Sequence, residues 1–142
     1  CDYSYDFSKL QPFVDALLSG YDFVIGNRFA GRMEDHAMPF LHQYIGIPFL
    51  SFLGRKRFHT SIYDFHCGLR GFSAASVRSL NLQCTGMEFA SEMIASYAVS
   101  NFKIKELPID FRCDKRKDAS HLRTFSDGVR HLIFIITEKP LH

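Results

Sequence analysis

The run Asp64-Phe65-His66-Cys67-Gly68-Leu69-Arg70-Gly71-Phe72 gathers a carboxylate, an imidazole, a thiol and a guanidinium around two glycines. This is poor material for a helix or a core strand, because glycine in a regular element costs roughly 0.5–1 kcal/mol relative to alanine. A polar, glycine-flanked turn between apolar segments is a common setting for a binding or catalytic site. Asp64 offers general-base or orienting chemistry, and Arg70 offers a planar fork for phosphate oxygens. Cys67 is equally at home as a small buried apolar group in a surface turn. His66-Cys67 has no second half at metal-site spacing, and no cysteine pair among positions 1, 67, 84 and 113 forms a CxxC motif. Reduced thiols facing a cytosolic compartment are the expectation.

A second chemical feature is the pair Glu88 and Glu92, four residues apart. On a helix their carboxylates share a face roughly 6 Å apart. No Lys or Arg lies between Gly86 and Asn101, so water or a tertiary partner must answer them. A solvated acidic face and a site role both fit. Basic residues cluster at Arg28 with Arg32, at Arg55-Lys56-Arg57, and between Arg112 and Lys117. Anionic ligands or surfaces suit these clusters, although each alone also suits a solvated face. The net charge of +2 gives no reason to expect a nucleic-acid partner.

The elements that must position these groups read as α/β. A helix is expected from Ser8, capped by Ser8 with Gln11 and ended by Gly20. Leu10, Phe13, Val14, Leu17 and Leu18 form its apolar face. Asp22-Phe23-Val24-Ile25-Gly26 reads as a short buried strand, and Asn27-Arg28-Phe29 follows it. Ligands of open α/β sheets bind beyond such carboxyl ends, which places Arg28 well for an anion. Residues 39–58 are strongly apolar but broken by Gly46 and Pro48, so two helical pieces are expected. With the basic run at its end, this stretch suits an anionic bilayer surface or a buried position equally. No apolar run reaches the roughly 20 residues a membrane-spanning helix needs.

Further along, residues 69–73 should be extended and 74–80 a short helix. A stronger helix covers 87–100, with Met87, Ala90, Ile94, Tyr97 and Ala98 on one side. Residues 102–111 alternate as a strand kinked at Pro108, through Ile104, Leu107, Ile109 and Phe111. A last helix starts near Thr124, capped by Thr124 with Asp127. Its apolar side is Phe125, Val129, Leu132, Ile133 and Ile136, opposite Arg130 and His131, and Pro140 ends it. The length of 142 residues suits one domain with a real core.

Six motifs occur in order: Asp2-Tyr3-Ser4-Tyr5-Asp6-Phe7, Gly26-Asn27-Arg28-Phe29, Ala37-Met38-Pro39, residues 64–70, Gly86-Met87-Glu88-Phe89-Ala90-Ser91-Glu92-Met93, and Ser120-His121-Leu122-Arg123-Thr124. Together they resemble the C-terminal half of the catalytic domain of family 2 glycosyltransferases, the polyprenyl-phosphate sugar transferases and dolichyl-phosphate mannose synthases in particular. The resemblance implies a partial GT-A, Rossmann-like domain over residues 1–142 that ends in an amphipathic helix and lacks its N-terminal nucleotide-binding half. It implies transfer of a sugar, with inversion, from a nucleotide-sugar donor to a lipid-phosphate acceptor at the cytoplasmic face of a membrane.

Residue by residue, the resemblance makes Asp2 the second aspartate of a DxD motif that holds Mg2+ or Mn2+ on the donor diphosphate. It makes Arg28 an acceptor-phosphate contact and places His42 near a second basic position; Arg70 and Arg123 are further candidates, because Arg grips phosphate oxygens through a planar fork. Asp64 is the family's usual candidate base, and for a sugar-hydroxyl acceptor Asp64 or Glu88 would serve as catalytic base. The first aspartate of the motif and the donor-binding half would precede Cys1, and membrane segments would follow the last helix. The isolated chain is therefore expected to be inactive. A non-catalytic fragment that binds anionic lipid or a protein partner is the second reading. A phosphate monoester has a second pKa of about 6 and is already largely anionic at pH 7. Asp64 is thus expected to orient Arg70 or the acceptor rather than to remove a proton.

Overall fold

Phe23, Val24 and Ile25 are fully buried, and they place β1 (Phe23–Asn27) at the centre of a three-stranded sheet ordered β2-β1-β3. The computed structural model describes residues 4–34, 45–86, 88–112 and 124–137, without the side chains of Lys9 and of residues 124–127. β1 runs parallel to β3 (Ile104–Pro108), pairing Phe23 with Ile104 through to Asn27 with Pro108. It runs antiparallel to β2 (Arg70–Phe72), with Ile25 opposite Arg70. A continuous apolar run is what a strand covered on both faces requires. Tyr97 stacks on Phe23 at 4.6 Å and shares a 2.9 Å hydrogen bond with Ser76.

α1 (Gln11–Leu18) lies on the sheet. The chain begins differently from the expected Ser8–Gln11 box. Asp6 accepts from the Ser8 amide at 3.1 Å and caps a short 3-10 helix over Phe7–Lys9, while Gln11 reaches forward to Asp15 at 2.7 Å. Pro12, which has no N–H to donate, sits in the first turn of α1, so the α-helix starts at Gln11. Only Phe13 and Ala16 are buried on α1, and Leu18 is 81% exposed. The stop at Gly20 is a Schellman motif: Gly20 N–H donates to Leu17 O and Tyr21 N–H to Ala16 O, with Gly20 at φ +97°.

α2 (Ile47–Phe58), α4 (Phe89–Val99) and α5 (Thr124–Thr137) pack against one another. α2 is the second of the two expected helical pieces, while residues 39–44 lie outside the described residues. Its buried residues are Ser51, Gly54 and Phe58, two of them small. Gly54 has no Cβ to meet the Phe65 ring, which would otherwise stand 2.5 Å away, and Ser51 Oγ accepts from Phe65 N–H. The small residues therefore seat the turn that carries Asp64. Ile45, Phe49 and Phe52 face outward, each more than half exposed.

On α5 the apolar side read from the sequence, which suited either packing on the sheet or a membrane interface, is not the side turned to the core. His131, Phe134 and Ile135 are buried, whereas Val129, Ile133 and Ile136 are exposed. The expected cap of Thr124 with Asp127 and the stop at Pro140 lie outside what is described. α3 (Ala74–Ser79) is capped by Ser73, which accepts from Ser76 N–H. β3 ends at Pro108, where a kink in a strand running on to Phe111 was expected, and Phe111 continues only as isolated bridges to Tyr5 and Met33. Among the described residues, no helix is long and apolar enough to cross a membrane.

Candidate anion-binding site

β1 ends in Asn27, whose side-chain oxygen accepts from Phe29 N–H at 2.9 Å and Ala30 N–H at 3.0 Å. This turn sends the Arg28 side chain back against the molecule, where 7% of it is exposed. It meets Asp64, which is fully buried. Asp64 Oδ2 accepts from Arg28 Nε at 2.7 Å and from Arg28 N at 3.1 Å. Oδ1 accepts from Arg28 Nη2 at 2.7 Å and from His66 N at 3.3 Å. A carboxylate offers about four lone-pair sites, and here all four are taken. Burial works against the Arg28 charge, but the Asp64 hydrogen bonds and charge outweigh it and leave the Arg28 pKa above its ordinary value. Asp64 therefore orients Arg28, whereas the sequence suggested Arg70 or the acceptor as what it orients.

A residue that the sequence did not single out holds the turn from behind. Glu106 Oε1, on β3, accepts from Tyr63 N–H at 2.8 Å and Asp64 N–H at 2.9 Å. Burial pushes the Glu106 carboxyl pKa up, against these hydrogen bonds. Its signal was available: an acid on the same strand face as Ile104, beside a buried central strand.

Arg70 opens β2 and is held by main-chain oxygens. Nε donates to Cys67 O at 2.9 Å, Nη1 to Ala90 O at 2.9 Å and Nη2 to Phe65 O at 2.8 Å. It thus ties the turn to the first turn of α4. No carboxylate pairs with it among the described residues. Burial lowers its pKa to about 10, although Cys67, Asp64 and Tyr5 act in the opposite direction, so it stays charged at neutral pH. Among the described residues, three of its five N–H groups are engaged and two remain.

Tyr5 closes one side of the turn. Its hydroxyl accepts from Gly68 N–H at 3.0 Å, and its ring lies 5.4 Å from Phe111. The Arg28 guanidinium sits 5.3 Å over that same Phe111 ring. Burial pushes the Tyr5 pKa well up and the Cys67 pKa to about 11, so both are neutral at pH 7. Cys67 reads as a packing residue. Arg28, Arg70 and Asp64 then carry one net positive charge, before Glu106 behind them, whose ionisation burial opposes.

The two helix glutamates part company. Glu92 accepts from Gln83 N–H at 2.8 Å and Cys84 N–H at 2.9 Å, which makes it a structural anchor. Glu88, at the start of α4, accepts from Arg130 of α5 at 3.2 Å. Its Oε2 is buried with no hydrogen-bond partner among the described residues. The carboxylate lies over Gly86, where a Cβ would stand 2.5 Å from Oε2. His131 of α5 lies edge-to-face on His66 at 4.3 Å, and Ser91 Oγ lies 3.0 Å from His131 Nδ1.

Asp2, His42 and Arg123 lie outside the described residues. Among the described residues, no group of three His, Cys, Asp or Glu side chains could hold a metal ion. A cavity of about 440 Å3 opens between the 3-10 helix and β3, with Asp6 and Asp110 on its walls and no basic side chain among its described lining. The cations therefore gather at the turn rather than at this cavity.

No family model matches the chain. Over 140 residues, 98% of its length, it is 34% identical to the low-salt glycan biosynthesis hexosyltransferase Agl6 of Haloferax volcanii. It is similar to hexosyltransferases. Over 129 residues, 90% of its length, it is 28% identical to a dolichyl-phosphate hexose transferase of the same organism. The chain spans 33% of the first hexosyltransferase and 54% of the second. The resemblance to sugar transferases carried by the six ordered motifs is thus borne out.

Proposed function

We propose that this chain is the acceptor side of a membrane-associated, inverting family 2 glycosyltransferase that moves a hexose from a nucleotide-sugar donor to a polyprenyl phosphate. In this reading residues 1–142 are the C-terminal portion of a GT-A catalytic domain, and the three strands belong to its larger sheet. The observation that carries it is Arg70, a partly buried guanidinium that among the described residues has two spare N–H groups and no carboxylate against it, beside the Arg28–Asp64 pair. A buried charge is costly until it is paired. An acceptor phosphate supplies that pairing and, being anionic at pH 7, requires no base. Arg70 and Arg28 then hold the phosphate oxygen in line with the sugar carbon from which the nucleotide diphosphate departs. Asp64 keeps Arg28 aimed.

The resemblance assigns Mg2+ or Mn2+ to the donor diphosphate through Asp2. The described residues do not by themselves form such a site. The outward stripes Ile45, Phe49 and Phe52 near α2, and Val129, Ile133 and Ile136 on α5, support contact with a bilayer surface. The Arg55-Lys56-Arg57 run in the last turn of α2 supports an anionic, cytoplasmic face.

A thermal-shift comparison on the protein expressed from its full reading frame tests the anion reading. Citronellyl phosphate at about a hundred times its Kd should add about 2.7 kcal/mol of stability. That is a rise of roughly 5–10 °C in Tm. Citronellol at the same concentration should give almost none. Equal shifts from both would mean that the site reads the hydrocarbon and not the phosphate.

A further inference from the structure

We propose that His131 is a positioning residue of this site, carrying the seating of α5 to the Arg28–Asp64 clamp through the ring of His66. The proposal rests on the reading in which Arg28 binds the acceptor phosphate. α5 could have sealed its inner face with apolar residues alone, as it does at Phe134 and Ile135. Instead it buries an imidazole that is 3% exposed. A buried polar ring is costly unless its polar atoms are engaged, and Ser91 Oγ of α4 engages Nδ1. The ring then stands nearly perpendicular to His66, at an interplanar angle of 86° and a centroid distance of 4.3 Å. This edge-to-face arrangement is favourable and directional, so it fixes where the His66 ring sits. The His66 main-chain N–H is itself one of the four donors that fill Asp64.

The path from α5 to the Arg28 guanidinium is therefore short: the His131 ring, the His66 ring, the His66 amide, Asp64 and Arg28. The preceding residue, Arg130, reaches Glu88 at the start of α4. Two consecutive residues of α5 thus touch two separate parts of the site wall. The opposite face of the same helix is the exposed stripe of Val129, Ile133 and Ile136. A helix whose outer face meets a surface and whose inner face holds the acceptor turn makes acceptor binding depend on how that helix is seated.

The test uses His131→Leu and His131→Phe in the protein expressed from its full reading frame. Amide hydrogen exchange is read at His66, Cys67 and Gly68, with the β1 amides as an internal reference. Leu keeps the apolar bulk and loses the ring, and Phe keeps the ring. His131→Leu should speed exchange at the three turn amides about two- to tenfold, the range an aromatic pair is worth, and leave β1 unchanged. His131→Phe should stay close to wild type. In transfer assays His131→Leu should raise KM for the prenyl phosphate by a similar factor and leave KM for the donor alone.

Unchanged exchange at the turn in His131→Leu overturns the proposal. So does a uniform rise that includes β1, which marks plain destabilisation, or His131→Phe behaving like His131→Leu. If the exchange pattern holds while the wild type moves no sugar to a lipid phosphate, the coupling stands and the acceptor reading fails.

Discussion

Asp64→Asn is expected to lower Tm by roughly 10 °C and to raise KM for the acceptor, rather than to abolish turnover in a stable, acceptor-binding protein. Asn matches Asp in shape, but it must turn an NH2 group toward donors. Oδ2 faces Arg28 N and Nε, and Oδ1 faces Arg28 Nη2 and His66 N, so either orientation sets donor against donor. Arg28 is then left buried without its counter-charge. Breaking one partner of a buried ion pair costs about 3–5 kcal/mol. That is a large share of the 5–15 kcal/mol by which domains are ordinarily stable. Differential scanning fluorimetry and acceptor-saturation kinetics read the two effects separately.

A general base would behave differently. Its loss would cost several orders of magnitude in kcat with Tm and acceptor KM unchanged, and that pattern would overturn the positioning role. The double variant Arg28→Leu with Asp64→Leu sharpens the comparison. Replacing both members of a buried pair by apolar groups is often near neutral for stability. The double variant should melt closer to wild type than Asp64→Asn does and still bind the acceptor poorly.

The second large effect is expected at Arg70. Arg70→Lys keeps the charge, but a single ammonium cannot span Phe65 O, Cys67 O and Ala90 O, which come from two separate segments. A planar fork and a point charge are not interchangeable at such a position. Hydrogen bonds from a charged group are worth about 1.5–3 kcal/mol each. Losing even one, together with its grip on the acceptor, predicts a drop of roughly a hundredfold in kcat/KM for the lipid phosphate, with the donor KM unchanged. Retention within about threefold would mean that charge alone suffices and that the three-carbonyl harness has no part in the site.

The central strand was legible because Phe23, Val24 and Ile25 form an unbroken apolar run, which only a doubly covered strand needs. Its register was not legible, since pairing with β2 and β3 depends on contacts 45 or more positions away. Arg28 and Asp64 stood out as chemical residues, but their pairing across 36 positions did not, and Asp64 was expected to orient Arg70 or the acceptor instead. Arg70 was legible as a cation. Its carbonyl harness was not, because main-chain acceptors leave no mark in a sequence.

α5 shows how much the facing of a helix owes to tertiary contacts. It carries one apolar stripe through Val129, Ile133 and Ile136 and another through Phe134 and Ile135 on the opposite face, and periodicity cannot choose between them. What chooses is His131, whose polar atom finds Ser91 and whose ring finds His66. For α2 the sequence left a bilayer surface and a buried position equally open. Ser51 and Gly54 decide it, because they let the helix come close to Phe65 and leave Phe49 and Phe52 facing outward.

The most direct test is a transfer assay on the protein expressed from its full reading frame, with nucleotide-hexose donors, Mg2+ or Mn2+, and either a polyprenyl phosphate or the matching polyprenol. Hexose should move to the phosphate and not to the alcohol, and Arg70→Met should lose transfer while still binding donor. Equal transfer to the alcohol, or full transfer by Arg70→Met, would contradict a lipid-phosphate site built on Arg28 and Arg70.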